Sequence, residues 1–396
     1  MHISTAIKTI MNELYYYILV SGTTKGVWNN MKIICSKEDL VNGVQIVSKA
    51  VPSNTTMSIL ECILIRAEDN MIKLTANDME LGIETEIPGT IEQPGIVALE
   101  SKMLVEVVRK LPNADITIET DDNYQTRFKY DTLKFDLNGK SGEDFSYLPD
   151  IERNEAIMVS AFTMKEIIRQ TIFSIGVNES NKIMTGVHMV INNDQLKVTT
   201  LDGHRISIRR VLLKNIYNEK EVIIPGKTLS EISKILPTDA EKDVSIFLTN
   251  SHVLFEFDNT IIVSRLIEGN YFSVDKMMSS DYETKVTMSK KDLYDCIDRS
   301  MLFSKEGNKK PVVINLTDNV MEIKVDSPLG KMDEEIEVTK QGKDIKIGFN
   351  PKFLLDALKV IDEENIDVYF VNPKAPCYIK DENDKYTYLI LPVNLS

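Results

Sequence analysis

Apolar side chains recur at helical spacing in three similar segments of the chain. In the first segment, Leu104, Val107, Val108 and Leu111 fall on one face of a helix with a 3.6-residue period. The three segments are Glu100–Pro112, Pro225–Pro237 and Asn350–Asp362. The lysines near their starts (Lys102, Lys227 and Lys352) are 125 residues apart in both intervals. The pattern predicts three equivalent helices, each followed by alternating sequence that is typical of strands.

A second set of helices is predicted earlier in each repeat. Their starts, spaced by 127 and 126 residues, are Ser36, Thr163 and Ser289. Three residues after each start comes an acid, namely Asp39, Glu166 and Asp292. This combination is typical of a capping box, in which side chains satisfy free N–H groups of the first helical turn.

The predicted unit is helix, strands, helix, strands, and it occurs three times. Three unrelated α+β segments that align by chance are the alternative, but six helix starts in matched register argue against it. We therefore expect an α+β fold of three repeated domains, each with two helices packed on antiparallel sheets. The expected domains are 31–152, 153–280 and 281–396, and residues 1–30 are expected to be an N-terminal extension outside the repeats.

Composition limits the class of protein. The 396 residues are 43% hydrophobic and 27% charged, which indicates several soluble globular domains. The apolar stretch Leu14–Val20 is too short to span a bilayer. The four cysteines lie far apart in sequence (Cys35, Cys62, Cys296 and Cys377). Their scatter argues against a zinc site or a disulfide framework and favours a cytoplasmic location.

The charge is unevenly distributed. The formal net charge is −14, which by itself argues against nucleic acid as a partner. Within the six predicted helices, however, 15 Lys or Arg residues outnumber 10 Asp or Glu residues. Equivalent helices would present their cations to one surface that attracts phosphates without reading base sequence. The cations expected on this surface are Lys37, Lys102, Arg109, Lys165, Arg169, Lys227, Lys234 and Lys352.

A search for catalytic motifs finds none. The chain lacks GxSxG, HExxH and GxGxxG, and none of its four histidines has a second histidine or a cysteine at i+4. Gly226-Lys227-Thr228 resembles the end of a phosphate-binding loop, but Glu221 stands where that motif needs glycine. Three carboxylates at one repeat position (Asp78, Asp202 and Asp326) are interpreted as turn residues. The sequence thus predicts no enzyme, no metal site and no cofactor.

The most distinctive string is LDGHRI at Leu201–Ile206. Other strings are Ile223–Pro225 followed by Lys227, Gly348–Asn350, and Tyr388–Pro392. Together with the repeat, these strings resemble the beta subunit of bacterial DNA polymerase III, the replication sliding clamp, over Met31–Leu395. In that family two three-domain chains close head to tail into a ring, whose hole is lined by helices and whose outer wall is formed by sheets. The resemblance implies a non-catalytic homodimer that encircles double-stranded DNA and confers processivity.

The resemblance also implies partners and a pocket for them between the second and third domains. The partners would be DNA polymerase III subunits, the clamp loader and other proteins with a clamp-binding motif. The matching pocket positions are Leu201, Gly203, His204, Arg205, Ile206, Phe272, Lys276, Met277, Asn350, Phe353, Leu389, Ile390, Leu391, Pro392 and Val393. An apolar groove with a few polar anchors suits an extended peptide. Phe272 stands where the family usually has proline, and this implies a pocket of different shape.

Further positions follow from the resemblance. Lys182 matches a position near DNA. Phe135 in the first domain is expected to meet Leu302 and Phe303 of the third domain at the joint of the ring. The alternative is that these three side chains are ordinary core residues. A head-to-tail contact that closes after two copies gives a ring and not a fibre.

Two alternative functions can be compared with the sequence. A hydrolase or transferase with a site between repeats would need convergent acids, histidines or serines, and the sequence shows no such cluster. A repeat scaffold that binds proteins but not DNA is consistent with the acidic net charge. Topological binding to circular duplex DNA separates this scaffold from a clamp.

Overall fold

The computed structural model describes residues 30–177, 180–278, 281–304, 310–381 and 383–395. The predicted N-terminal extension therefore lies outside the described residues, apart from Asn30. The chain divides into two compact units. One comprises Met1–Pro149 with Asn259–Ile262, and the other Asp150–Asp258 with Val263–Ser396.

The described residues form six α-helices, two in each repeat. They are α1 Lys37–Val47, α2 Ser101–Lys110, α3 Ala161–Thr171, α4 Gly226–Ile235, α5 Lys290–Ser300 and α6 Pro351–Lys359. The apolar face predicted for α2 is buried at Leu104, Val107 and Val108. Helix α1 packs against α2, α3 against α4, and α5 against α6. The three helix pairs confirm the three-domain α+β fold, and the domain boundaries stay predictions.

In the first unit the helix pair packs on antiparallel strands. The strands are β1 Lys32–Ser36, β2 Cys62–Glu68, β3 Met71–Asn77, β4 Leu81–Ile87, β5 Thr90–Gln93, β6 Gly95–Glu100, β7 Asp115–Thr120, β8 Gln125–Tyr130 and β9 Leu133–Ser141. Their order is β4-β3-β2-β6-β9-β8-β7-β1-β5. Helix α1 packs on β3 and β4, and α2 packs on β6 and β9.

The second unit holds the third domain and, apart from Asn259–Ile262, the second domain. Strands of the second domain are β10 Ile157–Ser160, β11 Gly186–Leu201, β12 Arg205–Pro225, β13 Asp243–Leu248, β14 His252–Phe257 and β15 Thr260–Arg265. Strands of the third are β16 Thr284–Ser289, β17 Val312–Thr317, β18 Val320–Ser327, β19 Gly330–Glu337, β20 Thr339–Gly342, β21 Ile345–Phe349, β22 Asn365–Phe370, β23 Cys377–Lys380 and β24 Tyr386–Ile390.

One sheet joins the second and third domains. Its seven strands run in the order β11-β12-β24-β23-β22-β16-β20, so that β12 of the second domain pairs with β24 of the third. The third domain also has a four-stranded sheet in the order β19-β18-β17-β21. The junction of β12 and β24 places residues far apart in sequence side by side at the end of the β11–β12 hairpin.

Two of the three predicted helix caps are confirmed, and one is wrong. Ser36 accepts the N–H of Asp39 at 3.0 Å, and Ser289 accepts that of Asp292 at 3.3 Å. In the second domain the cap is Ser160, whose hydroxyl accepts the N–H of Thr163 at 3.2 Å. Strand β10 ends at Ser160, so Thr163 already lies inside the helix.

The turn interpretation holds for two of the three recurring carboxylates. Asp78 accepts the backbone N–H groups of Glu80 and Leu81, at 3.0 and 2.7 Å. Asp202 accepts those of His204 and Arg205, at 3.0 and 3.1 Å. The turn interpretation is wrong for Asp326, because this residue lies within β18 and pairs with Lys331 at 2.7 Å. The neighbouring turn is held by Ser327, whose hydroxyl accepts the N–H of Leu329.

No helix of the described ranges is long and apolar enough to cross a membrane. All four cysteines are buried and unlinked. Burial raises the pKa of Cys35, Cys296 and Cys377 to about 12, so these thiols stay protonated and unreactive at neutral pH.

Replacing the cap of α3 tests the corrected helix start. Ser160→Ala should lower the free energy of unfolding of the second unit by about 1 kcal/mol, because the N–H of Thr163 loses its acceptor. Thr163→Ala is the matched control and should cost less. Urea unfolding followed by circular dichroism gives the comparison. A larger loss for Thr163→Ala would contradict the start of α3 at Ala161.

Candidate functional site

A tight turn connects β11 and β12 at the junction of the second and third domains. Asp202 holds it by accepting the backbone N–H groups of His204 and Arg205. Gly203 has a φ of +82°, and a Cβ built on it would meet nothing within 4 Å. Glycine is therefore required by the left-handed backbone and not by lack of space.

Arg205 follows the turn and is buried, with 8% of its surface exposed. Its Nε donates to Asp202 Oδ2 at 2.9 Å, and its Nη1 donates to Asp356 Oδ2 of α6 at 2.7 Å. Its Nη2 donates to the carbonyl oxygen of Phe173. Two carboxylates thus compensate a cation whose burial would otherwise be unfavourable.

Aromatic rings enclose the same guanidinium. The Arg205 Cζ atom lies 4.6 Å from the ring centroid of Phe353 and 5.4 Å from that of Phe173. His204 is exposed and stacks on Phe353 with centroids 5.8 Å apart. Arg205 therefore fixes the position of two rings, and one of them supports the exposed imidazole.

An apolar floor lies beside the turn. Leu201, Ile206 and Leu389 belong to one buried cluster drawn from β11, β12 and β24. Half-buried Phe272 packs against this cluster. The remaining buried members are Ile208, Ile223, Tyr271, Val274, Tyr369 and Tyr378. Four of the predicted pocket positions are thus brought together by strands of two domains and the segment that connects them.

The C-terminal residues form one edge of the floor. Leu391 donates its N–H to the carbonyl of His204 at 2.8 Å, and Val393 donates to the carbonyl of Gly348 at 2.9 Å. Leu391 and Val393 are 38% and 37% exposed, and Pro392 between them is half-buried. Ile390 is not at this surface, because it is 1% exposed in the core of the third domain.

Two further predicted pocket residues lie on a short turn. Lys276 and Met277 are exposed within a single 3₁₀ turn, Val274–Met277, which Val274 anchors in the apolar cluster. Asn350 caps α6 by accepting the N–H of Lys352 at 3.0 Å. The cap fixes the first turn of α6, which carries Phe353.

Three residues that shape this site were not predicted from the sequence. Asp356 and Phe173 contact Arg205, and Tyr271 stacks on His188 with centroids 4.4 Å apart. Burial lowers the pKa of His188 below its ordinary value, although Glu221 at 2.8 Å opposes the shift. The only sequence signal for Asp356 is its i+4 spacing from Lys352, and that spacing usually marks a solvated pair.

The arrangement suits an extended ligand with large apolar side chains. Such side chains would be covered by the floor around Leu201, Ile206 and Leu389, while His204, Lys276 and Asn350 supply polar groups nearby. In the described ranges no group of three His, Cys, Asp or Glu residues could hold a metal ion.

The predicted phosphate-attracting cations differ in their surroundings. Six are exposed, namely Lys102, Arg109, Lys182, Lys227, Lys234 and Lys352. Lys37, Lys165 and Arg169 are half-buried. Arg169 donates to Glu166 at 2.9 Å and Asp362 at 2.6 Å, so its charge is already compensated. Lys165 donates to the carbonyl of Pro237 at 2.9 Å. A role of these nine side chains toward DNA stays a prediction.

The residues predicted for the ring joint lie at two sheet edges. Phe135 is half-buried on β9, which pairs with β8 from Leu133 to Asn138 and with β6 only from Gly139 to Ser141. In the third domain β19 is the last strand of its sheet. The ring of half-buried Phe303 lies over Gly330 of β19, and neighbouring Leu302 is 64% exposed.

Comparison with known proteins adds independent information. Models of the DNA polymerase III beta subunit match residues 31–149 (N-terminal domain), 158–273 (central domain) and 276–394 (C-terminal domain). The beta sliding clamp of Staphylococcus aureus is 34% identical over 356 residues, which cover 87% of this chain and 94% of that protein.

Solved structures are similar over the same range. A structure from Eubacterium rectale described as a DNA polymerase III beta subunit is 60% identical, with a TM-score of 0.90, and covers 92% of this chain and 100% of its own. The sliding clamp of Pseudomonas aeruginosa bound to griselimycin shares the fold, with 21% identity, a TM-score of 0.87 and the same shares covered.

Proposed function

The chain belongs to the DNA polymerase III beta subunit family, and we propose that two copies close into a ring that slides along duplex DNA and holds other proteins there. The observation that carries this proposal is the three-fold repeat of helix pairs bearing exposed lysines at equivalent positions. Lys102, Lys227 and Lys352 each stand one residue after the first residue of their helix. Equivalent cations in equivalent domains suit a surface that meets a regular polyanion.

The two sheet edges support the head-to-tail joint of this ring. The stretch of β9 that does not pair with β6 carries Lys134 and Asp136 and is followed by Lys140, a net positive edge. Strand β19 exposes Lys331, Asp333, Glu335 and Glu337, a net negative edge. Edge strands with unpaired backbone groups readily accept a partner strand. Opposite charges favour pairing of β9 with β19 of the second copy, and like charges disfavour pairing of β19 with itself.

Contacts between the ring and DNA phosphates would be weak and independent of base sequence. The six exposed cations are accessible to water, which limits the strength of each ion pair with a phosphate. Arg109, Lys234 and Lys352 also pair with carboxylates of their own helices. The acidic remainder of the chain would keep DNA off the other surfaces. Residence on DNA then comes from closure, and the ring itself catalyses no reaction and needs no nucleotide, metal or cofactor.

The site between the second and third domains would hold partners. DNA polymerase III subunits, the clamp loader and other proteins with a clamp-binding motif would insert an extended apolar peptide there. A tethered polymerase gains a high effective concentration at the template without any new contact to DNA. The tethering of partners to DNA would take place in the cytoplasm, where replication proteins bind the chromosome.

The mass in solution tests the ring joint. Light scattering should give a dimer of about twice the 45.0 kDa chain, and small-angle X-ray scattering should show a hollow particle. Leu302→Asp should weaken the joint by at least tenfold, because it places a charge in a buried apolar contact. Leu212→Asp, at a leucine 75% exposed in the second domain, is the control and should stay dimeric. A wild-type protein that is monomeric at all concentrations would contradict the proposed ring.

Retention on DNA tests topological binding. Protein placed on nicked circular duplex by the clamp loader should co-elute with the circle in gel filtration and be lost after a restriction enzyme linearises it, because a ring slides off free ends. Charge reversal at Lys102, Lys227 and Lys352 together should reduce retention and make it less dependent on salt, because fewer phosphate contacts remain to release counterions. Equal retention on linear DNA would instead favour a protein scaffold that does not encircle DNA.

Griselimycin provides a probe for the pocket. Isothermal titration should show binding to the wild-type dimer and at least tenfold weaker binding to Leu391→Asp, which places a charge at the edge of the apolar floor. Ile216→Asp, at an isoleucine 77% exposed on β12, is the control and should bind like wild type. Equal affinity for wild type and Leu391→Asp would move the ligand site elsewhere.

A further inference from the structure

We infer that Asp356 is a positioning residue for the partner pocket, which it assembles by holding Arg205 of the second domain against α6 of the third. The inference rests on the proposed function of that pocket and deepens it. Asp356 itself is only slightly exposed, and its side chain acts on the ligand through Arg205.

The polar contacts of Arg205 divide between the two domains. Asp202, at 2.9 Å, and the carbonyl of Phe173 both belong to the second domain. Asp356, at 2.7 Å and 151 residues away in sequence, is the ion-pair partner contributed by the third domain within the described part of the chain. Its carboxylate is therefore the charged contact that draws the turn and α6 together.

The consequence for the pocket follows from the rings. Phe353 lies one turn before Asp356 on α6, against the guanidinium of Arg205, and it also supports His204. A guanidinium held by carboxylates from both sides keeps its plane fixed, because its donors form a rigid fork. Loss of the contact from α6 would leave Phe353 and His204 free to move relative to the apolar floor.

Asp356 has a second cation whose contribution is smaller. Lys352 donates to the same Oδ2 atom at 2.8 Å, but its side chain is 61% exposed, against 8% for Arg205. A solvated pair of this kind adds little to stability. The carboxylate is thus placed chiefly for the buried arginine, although the i,i+4 spacing in sequence connects it to the lysine.

The test is a double-mutant cycle on griselimycin affinity in the intact dimer. Asp356→Asn keeps the volume and removes the charge, and it should weaken binding about tenfold, the size of one charge-assisted hydrogen bond. Arg205→Lys should weaken binding by at least as much, since a single ammonium cannot keep all three contacts. The double variant should be no weaker than Arg205→Lys alone, because both changes remove the same contact.

The matched control is Asp295→Asn in α5. Asp295 also accepts an i,i+4 lysine, Lys291, at 2.5 Å, but among the described residues it makes no hydrogen bond or salt bridge to an arginine. It should leave griselimycin affinity unchanged. Melting temperature and dimer mass are measured for every variant, and Asp356→Ser replaces Asp356→Asn if the latter does not fold.

The outcomes separate this inference from the proposed pocket. Wild-type protein that binds no griselimycin would overturn the pocket for this ligand. Wild-type binding with an unchanged affinity for Asp356→Asn would overturn only the role of Asp356. Losses that multiply in the double variant would show that Asp356 acts independently of Arg205 and would also overturn it. A tenfold loss that does not grow in the double variant supports it.

Discussion

The pairing of β12 with β24 is the interaction on which the candidate site depends. It sets Ile206 opposite Leu389, so that an apolar pair from two domains faces the same side of one sheet. Arg205 lies opposite Ile390 in the same register, and Ile390 points into the core of the third domain. Because side chains alternate along a strand, a slip of one residue would exchange Leu389 and Ile390 and destroy the floor. The bond from Leu391 to the carbonyl of His204 extends the pairing beyond β24 and holds the register.

Local patterns in the sequence were enough for the helices and the repeat. The apolar face of α2 and the caps Ser36 and Ser289 depend on residues within one or two turns, so the sequence carries them directly. The local pattern misplaces the cap of α3, because Thr163 has an acid three residues later, Glu166, whereas Ser160 has Thr163 at that distance. The end of β10 decides between them, and Ser160 pairs there with Asp243, 83 residues later in the chain. Contacts of that range leave no local signal.

The same limit explains the candidate site. The strings around Arg205 and Leu391 predict a pocket only through family resemblance, and that pocket stays a prediction, whereas periodicity alone would have assigned each apolar member to a core. For Ile390 the core assignment is the right one. Asp356 was not predicted from the sequence, because a buried arginine can pair with a second carboxylate from any element that folds near it. Only the packing of α6 against the turn selects this one.

A closed ring explains how a protein with a negative net charge can remain on DNA. If contacts with phosphates supplied the affinity for DNA, the exposed lysines of α2, α4 and α6 would need to outweigh a net charge of −14. Strong ion pairs with phosphates would also slow sliding along DNA. Closure removes this conflict, because residence then depends on the joint between copies and each phosphate contact can be weak. Arg169 fits the same division, since Glu166 and Asp362 already compensate its charge. Its contacts join α3 to the end of α6, so part of the basic set stabilises the domain junction that builds the pocket.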